Sequence, residues 1–181
     1  MSVNDRYGRA LNRCQPGYGA SCALCCGSHN YAMPPDRIDE LFRDRGREPC
    51  RAPAAHPYEA VSEKLFEDDM QCRHVGIRSS DPGQVCCLAY GDRDRDGELE
   101  SFFNGTCKNF YCPAWDHLED REVLFAARLM GDWYYYSLFI NDIETLKSFC
   151  ARFENPGDVT PGELDDLKSE LVERLFDEDG K

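Results

Sequence analysis

The 181-residue chain has no run approaching about 18 consecutive apolar residues, so no membrane-spanning helix is expected. Its opening, MSVNDRYGRALNRC, lacks an apolar stretch and a small-residue cleavage site. No secretory signal is therefore expected, and the chain is expected to be cytoplasmic. Positive charge is scarce. Lys and Arg number 21 against 34 Asp and Glu, a net charge of −13, and the isoelectric point is near 4.7. Such a field repels phosphate, which argues against nucleic acid and against an anionic membrane surface. No G-x-S-x-G, P-loop, G-x-G-x-x-G or H-E-x-x-H pattern occurs, so no catalytic class is nominated. Internal repeats and low-complexity tracts are also missing. Aromatics at 12% are too many for a disordered chain.

What is abundant is cysteine. There are 11, an odd number, in a chain for which no export signal is expected. In a reducing compartment such thiols are metal ligands, redox groups or small buried hydrophobes rather than a disulfide framework. They are grouped. Cys22-Ala-Leu-Cys25-Cys26 is one cluster, flanked by Cys14; Cys72 stands alone; Cys86-Cys87 is a pair; Cys107 and Cys112 bracket four residues. Gly17, Gly19, Gly27 and Pro16 surround the first cluster, the turn chemistry a metal-binding knuckle needs to aim several sulfurs at one point. The candidate ligands are therefore Cys14, Cys22, Cys25, Cys26, Cys72, Cys86, Cys87, Cys107 and Cys112. Adjacent side chains rarely point the same way, so each vicinal pair binds two metals or contributes one ligand and one packing residue. Cys50 falls outside the pattern, and Cys150 sits on an apolar helical stripe, where core packing is the expectation.

The coarse pattern is α+β, mainly α, with a loop-rich cysteine module over 1–117 and a helical extension over 118–181 in the same compact unit. Helices are expected at about 35–45, with Pro34 and Pro35 at the start and Gly46 as the stop, then over 58–70, 119–130 and about 132–153, and after Thr160. The run Thr160-Pro161-Gly162-Glu163 has the spacing of a capping box. Segments 85–90 and 98–103 read as a short β-hairpin joined by an acidic loop.

The run C-A-L-C-C followed by M-P-P-D-R-I-D-E-L-F-R-D-R-G resembles the opening of a bacterial cysteine-cluster family described as zinc- or iron-chelating, whose signature is C-x2-C-x2-C-C. Cys72 matches the family's lone cysteine, Cys87-Leu-Ala-Tyr90 its C-x2-Tyr motif, and Cys107-Lys-Asn-Phe-Tyr-Cys112 its closing motif. The family's first cysteine falls at Gly19, and Cys14 could take its place only by a rearranged loop. The resemblance covers roughly residues 14–116 and implies a metal site. The flagellin lysine N-methylase carries a similar cluster, although no methyltransferase domain or Gly-rich cofactor loop is evident here.

Seven to nine thiols with a single C-x2-C exceed the two tidy pairs of a structural zinc site. An iron–sulfur cluster is favoured slightly over a zinc or iron ion. Electron transfer or cluster handling would follow, with a basic protein partner steered by the acidic surface. The alternatives are a metal-dependent enzyme or methylase-associated factor, and a structural zinc module for protein–protein contact. His29, His56, His74 and His117 could complete a mixed site but read as polar loop residues. Asp92, Asp94, Asp96 and Gly97 match the front of a calcium loop, yet Phe103 stands where a bidentate Glu is needed, so a solvated tip is expected. Trp133-Tyr134-Tyr135-Tyr136 reads as core packing, with a partner surface as the sharper alternative.

Overall fold

A computed structural model describes residues 11–47, 62–80, 82–88, 105, 107–110 and 112–177. Among the described residues the fold is mainly helical α+β with one two-stranded antiparallel hairpin. It divides into two units. The described residues of the first lie within 23–110; those of the second are 11–22 and 112–177. The division thus falls between Cys22 and Ala23 and ahead of Cys112, where the sequence pattern alone places a boundary at 117.

In the first unit, α1 spans Pro35–Arg47. Pro34 accepts the first helical hydrogen bonds, from Arg37 N (3.0 Å) and Ile38 N (3.2 Å). Ile38 and Phe42 face inward, and Phe42 meets Tyr31 edge-on at 5.6 Å. Fully burying side chains of this size contributes roughly 1.5–3 kcal/mol each. The expectation that Gly46 stops this helix is corrected: α1 runs through it. A Cβ at Gly46 would lie 1.7 Å from the Ile77 carbonyl oxygen, so the glycine is there because a strand passes against the helix backbone. That strand, β1 (Val75–Ile77), pairs with β2 (Val85–Cys87) in the register Val75↔Cys87, Gly76↔Cys86 and Ile77↔Val85. The strand expected from 85 is present, but its described partner is 75–77; segments 98–103 and 89–90 lie outside the described residues.

The helix expected over 58–70 is also corrected. Residues 62–70 are turns, and 58–61 lie outside the described residues. The reason is Asn30, which is buried. Its Nδ2 donates to the carbonyls of Phe66 (2.9 Å) and Asp69 (3.1 Å), and its Oδ1 accepts from Phe66 N (2.7 Å). Gln71 Oε1 likewise accepts from Ser62 N at 2.9 Å. Side chains thus claim the backbone groups that a helix would pair with one another. Asn30→Ala is expected to destabilise the first unit by roughly 2–4 kcal/mol, since buried polar groups lose their partners. A urea titration checks this; an unchanged midpoint would contradict it.

The second unit contains α2 (Ala114–His117), α3 (Asp120–Met130), α4 (Trp133–Asn141), α5 (Ile143–Arg152) and α6 (Pro161–Asp177). The helix expected at 119–130 is α3. The single helix expected over 132–153 is instead two, because Asp142 Oδ1 accepts from Thr145 N (3.2 Å) and caps α5. The capping box before α6 is present: Glu163 Oε2 accepts from Thr160 N at 3.0 Å, and Thr160 Oγ1 accepts from Glu163 N at 3.3 Å. Val123, Ala126, Tyr136, Phe139, Ile140, Leu146, Leu167 and Leu171 form the core. No helix of the described residues is long and apolar enough to cross a membrane.

Candidate metal centre

The first unit's knuckle is a tight 3-10 turn, Leu24–Cys26, closed by Gly27 at φ +72°, whose N–H donates to Leu24 O at 2.8 Å. A left-handed residue there reverses the chain immediately after the vicinal cysteines. A Cβ at Gly27 would lie 1.7 Å from Met70 O, so the stretch leading to Cys72 runs directly against the knuckle. Cys72 N then donates to Cys26 O at 3.0 Å. Two residues on, Leu88 N donates to His74 O at 2.7 Å and extends the β1–β2 pairing, which holds Cys87 opposite Val75. Cys86 stands at the adjacent register, opposite Gly76, on the other face of the hairpin.

These backbone contacts bring thiols from separate stretches within electrostatic reach of one another. Cys25 and Cys26 are hydrogen-bonded through their sulfurs, which holds Cys25 below the usual thiol range and Cys26 well above it. Burial and the charges that Cys25, Cys72 and Cys87 would carry push Cys26 further up. Burial raises Cys72 to about 11, against an opposing hydrogen bond from the His74 backbone and the nearby Arg45 guanidinium. Cys107 is exposed at the surface, yet partial desolvation there, and then Cys87 and Cys25, push its thiol to about 11. Arg45 is fixed by Tyr31 Oη (3.0 Å) and the Val75 carbonyl (3.1 Å).

In the second unit the loop after Cys14 turns back through three consecutive left-handed residues, Gly17 (φ +94°), Tyr18 (+59°) and Gly19 (+76°). Cys22 N donates to Cys14 O at 2.9 Å, so the loop sets Cys14 beside Cys22. A Cβ at Gly19 would be 2.8 Å from Gly131 O; a cysteine there would be strained and crowded. Arg13, 1% exposed, joins this loop to the segment after Cys112. Its Nε donates to Ala114 O (3.1 Å), and one terminal nitrogen donates to Leu118 O (2.7 Å) and Asp120 Oδ1 (3.2 Å). Tyr136, buried, donates its hydroxyl to Arg13 O at 2.7 Å. Burial raises that hydroxyl's pKa, and the thiols of Cys22, Cys14 and Cys112 add to it. Asn141 Nδ2 approaches Cys22 Sγ at 3.6 Å.

The thiols of Cys25, Cys26, Cys72, Cys87 and Cys107 thus act on one another electrostatically in the first unit, and those of Cys14, Cys22 and Cys112 each act on Tyr136 in the second. The ten described cysteines are thiols, with no disulfide among them. Among the described residues, no three His, Cys, Asp or Glu side chains stand as a ready coordination sphere. A cysteine has one side-chain torsion, and exchanging staggered rotamers carries its sulfur roughly 3 Å without moving the backbone. The donor chemistry fits a thiophilic metal: several reduced thiols, a turn that presents them, and backbone N–H groups near sulfur.

His29 is buried, with Nδ1 2.9 Å from Ser28 Oγ; His74 is buried and His117 exposed. Cys150 is half-buried on α5, and burial raises it to about 11. Cys50, His56 and the Asp92–Asp96 loop lie outside the described residues. Trp133 and Tyr136 are buried, while Tyr134 and Tyr135 are half-buried. Nothing local in the sequence marks Arg13, Arg45 and Asn141, and Tyr136 reads there only as core, because their roles depend on partners more than a helical turn away. No protein-family model, curated protein or solved structure matches the chain.

Proposed function

We propose that this chain is a metal-binding protein of the cysteine-cluster kind, holding an iron–sulfur cluster, or a zinc or iron ion, through thiolates of the first unit. The observation that carries the reading is the knuckle. Cys72 N on Cys26 O and the β1–β2 pairing bring Cys25, Cys26, Cys72 and Cys87 into one neighbourhood, with Cys107 in reach. Burial first, and repulsion between neighbouring thiolates second, make Cys26, Cys72 and Cys107 resist ionisation. A cation removes that repulsion, and binding it releases the thiol protons.

Cys72 and Cys87, with Cys25, Cys26 and Cys107 about them, would hold the metal. Arg45 compensates negative charge beside Cys72. When bound, an iron–sulfur cluster supplies one-electron exchange. Electron transfer or cluster handling is the use this reading favours, with the net charge of −13 directing the protein to a basic partner. Anaerobic purification followed by iron, zinc and acid-labile sulfide analysis tests it. Iron with sulfide in comparable amount identifies a cluster, and zinc without sulfide identifies an ion. Neither metal, in native or reconstituted protein, rejects the reading. A Cys72→Ser, Cys87→Ser double variant is expected to lose the metal of the first unit.

A further inference from the structure

We infer that Cys14 and Cys22 are a redox pair: a reduced dithiol that a low-molecular-weight disulfide converts into a reversible Cys14–Cys22 bond. The inference is independent of the metal reading, because both thiols lie in the second unit. Its basis is backbone geometry. Cys22 N donates to Cys14 O at 2.9 Å. Residues joined by such a bond have Cα atoms roughly 5–6 Å apart, inside the range that a disulfide spans. The turn between them is itself closed: Gly17 and Ala20 form an antiparallel bridge, with Ala20 N donating to Gly17 O at 3.0 Å. Both cysteines are half-buried, so a small oxidant can reach them from solvent.

The loop is fastened to its unit at several points, which keeps the two backbones in place. Arg13 bonds the carbonyls of Ala114 and Leu118, and its own carbonyl accepts from Tyr136. Tyr18 Oη accepts from Arg128 at 2.8 Å, and the Arg128 guanidinium lies 4.8 Å from the Tyr18 ring centroid. Ser137 Oγ donates to Ser21 O at 3.3 Å. Asn141 Nδ2 stands 3.6 Å from Cys22 Sγ, which sets that sulfur at the end of α4. Thiols held near each other by a fold have a high effective concentration, and each sulfur can turn toward the other by exchanging rotamers. In the reaction, one thiolate attacks a sulfur of the oxidant's S–S bond, forms a mixed disulfide and expels a small thiolate. The partner thiol then attacks the protein sulfur of that mixed disulfide, forms the Cys14–Cys22 bond and expels a second small thiolate. The pair loses two electrons and two protons, and the oxidant gains them as two thiols. Reduced, the loop is held by non-covalent contacts; oxidised, it is a covalent ring, so the fastening of Arg13 follows the thiol poise of its surroundings.

The test is equilibration of the full chain in mixtures of oxidised and reduced glutathione, followed by acid quenching, alkylation and digestion with chymotrypsin. Cleavage after Tyr18 and Leu24 parts Cys14, Cys22 and Cys25. Mass spectrometry is expected to find the Cys14 and Cys22 fragments linked to each other as their main oxidised form, with or without zinc in the buffer. The glutathione ratio at half-oxidation is expected to give an effective concentration at least roughly tenfold higher in the native protein than in urea. Cys22→Ser is expected to leave Cys14 as a mixed disulfide with glutathione. The inference is overturned if either cysteine pairs mainly with a third, if both stop at the mixed disulfide, or if the native protein shows no advantage over urea. A chain that binds no metal would still give the linked fragments, so this inference and the metal reading fail separately.

Discussion

Gly27→Ala is expected to destabilise the cysteine unit by roughly 3–5 kcal/mol, a large share of a typical domain's stability. Two effects combine. Holding an L-residue in the left-handed region costs about 1–2 kcal/mol. The new methyl group would also overlap Met70 O, 1.7 Å away. Relieving that overlap means parting the Met70–Cys72 stretch from the knuckle and breaking Cys72 N on Cys26 O. Gly83→Ala is the control: it has φ +124° but nothing within 4 Å of its Cβ, so only the conformational penalty applies. Hydrogen exchange should show residues 70–77 losing protection in Gly27→Ala while α3 to α5 keep theirs. Equal losses for the two variants would refute the close-approach argument.

Metal affinity is expected to climb steeply with pH and to keep climbing above pH 9. Cys72 and Cys107 titrate near 11 in the metal-free fold, against 9 for an ordinary thiol. Each ligand still protonated must lose its proton to bind, so below pH 9 each contributes up to about tenfold in affinity per pH unit. Calorimetry in buffers of differing ionisation enthalpy counts the protons released; a value near zero would exclude thiol ligands. The same raised pKa values have the opposite consequence for the metal-free protein. The protonated thiol is favoured in the fold, so this stabilisation is complete below pH 9 and lost as pH rises from 9 through 11. For Cys72 the loss is on the order of 2–3 kcal/mol. Metal-free protein should therefore unfold more readily at pH 11 than at pH 8, and bound metal should remove that alkaline transition.

Local signals carried the elements whose causes are local. The prolines at 34 and 35 start α1, and Thr160 with Glu163 starts α6. The cysteine positions themselves mark the thiols of both units. Elements governed by distant partners were not legible. Segment 62–70 has a helical stripe, but Asn30 takes its backbone groups from more than thirty residues away. Gly46 reads as a terminator and is instead a clearance for β1. Asp142 is one polar residue in a long apolar stripe, and its capping role divides the helix. The C-A-L-C-C run reads as a single motif because a turn of this kind ordinarily serves one centre. Nothing in its spacing reveals that Cys22 and Cys25 fall in different units.

The first unit therefore interrupts the second. The ribosome completes the whole interval 23–111 before the chain that accompanies Cys14 and Cys22 is made. In the nascent protein these two thiols are made long before Cys112 and the helices that complete their unit. A bond of any kind between Cys22 and Cys112, a shared ion included, would then seal the inserted segment into a ring. Its loss of chain entropy would favour the finished fold over every partly made one.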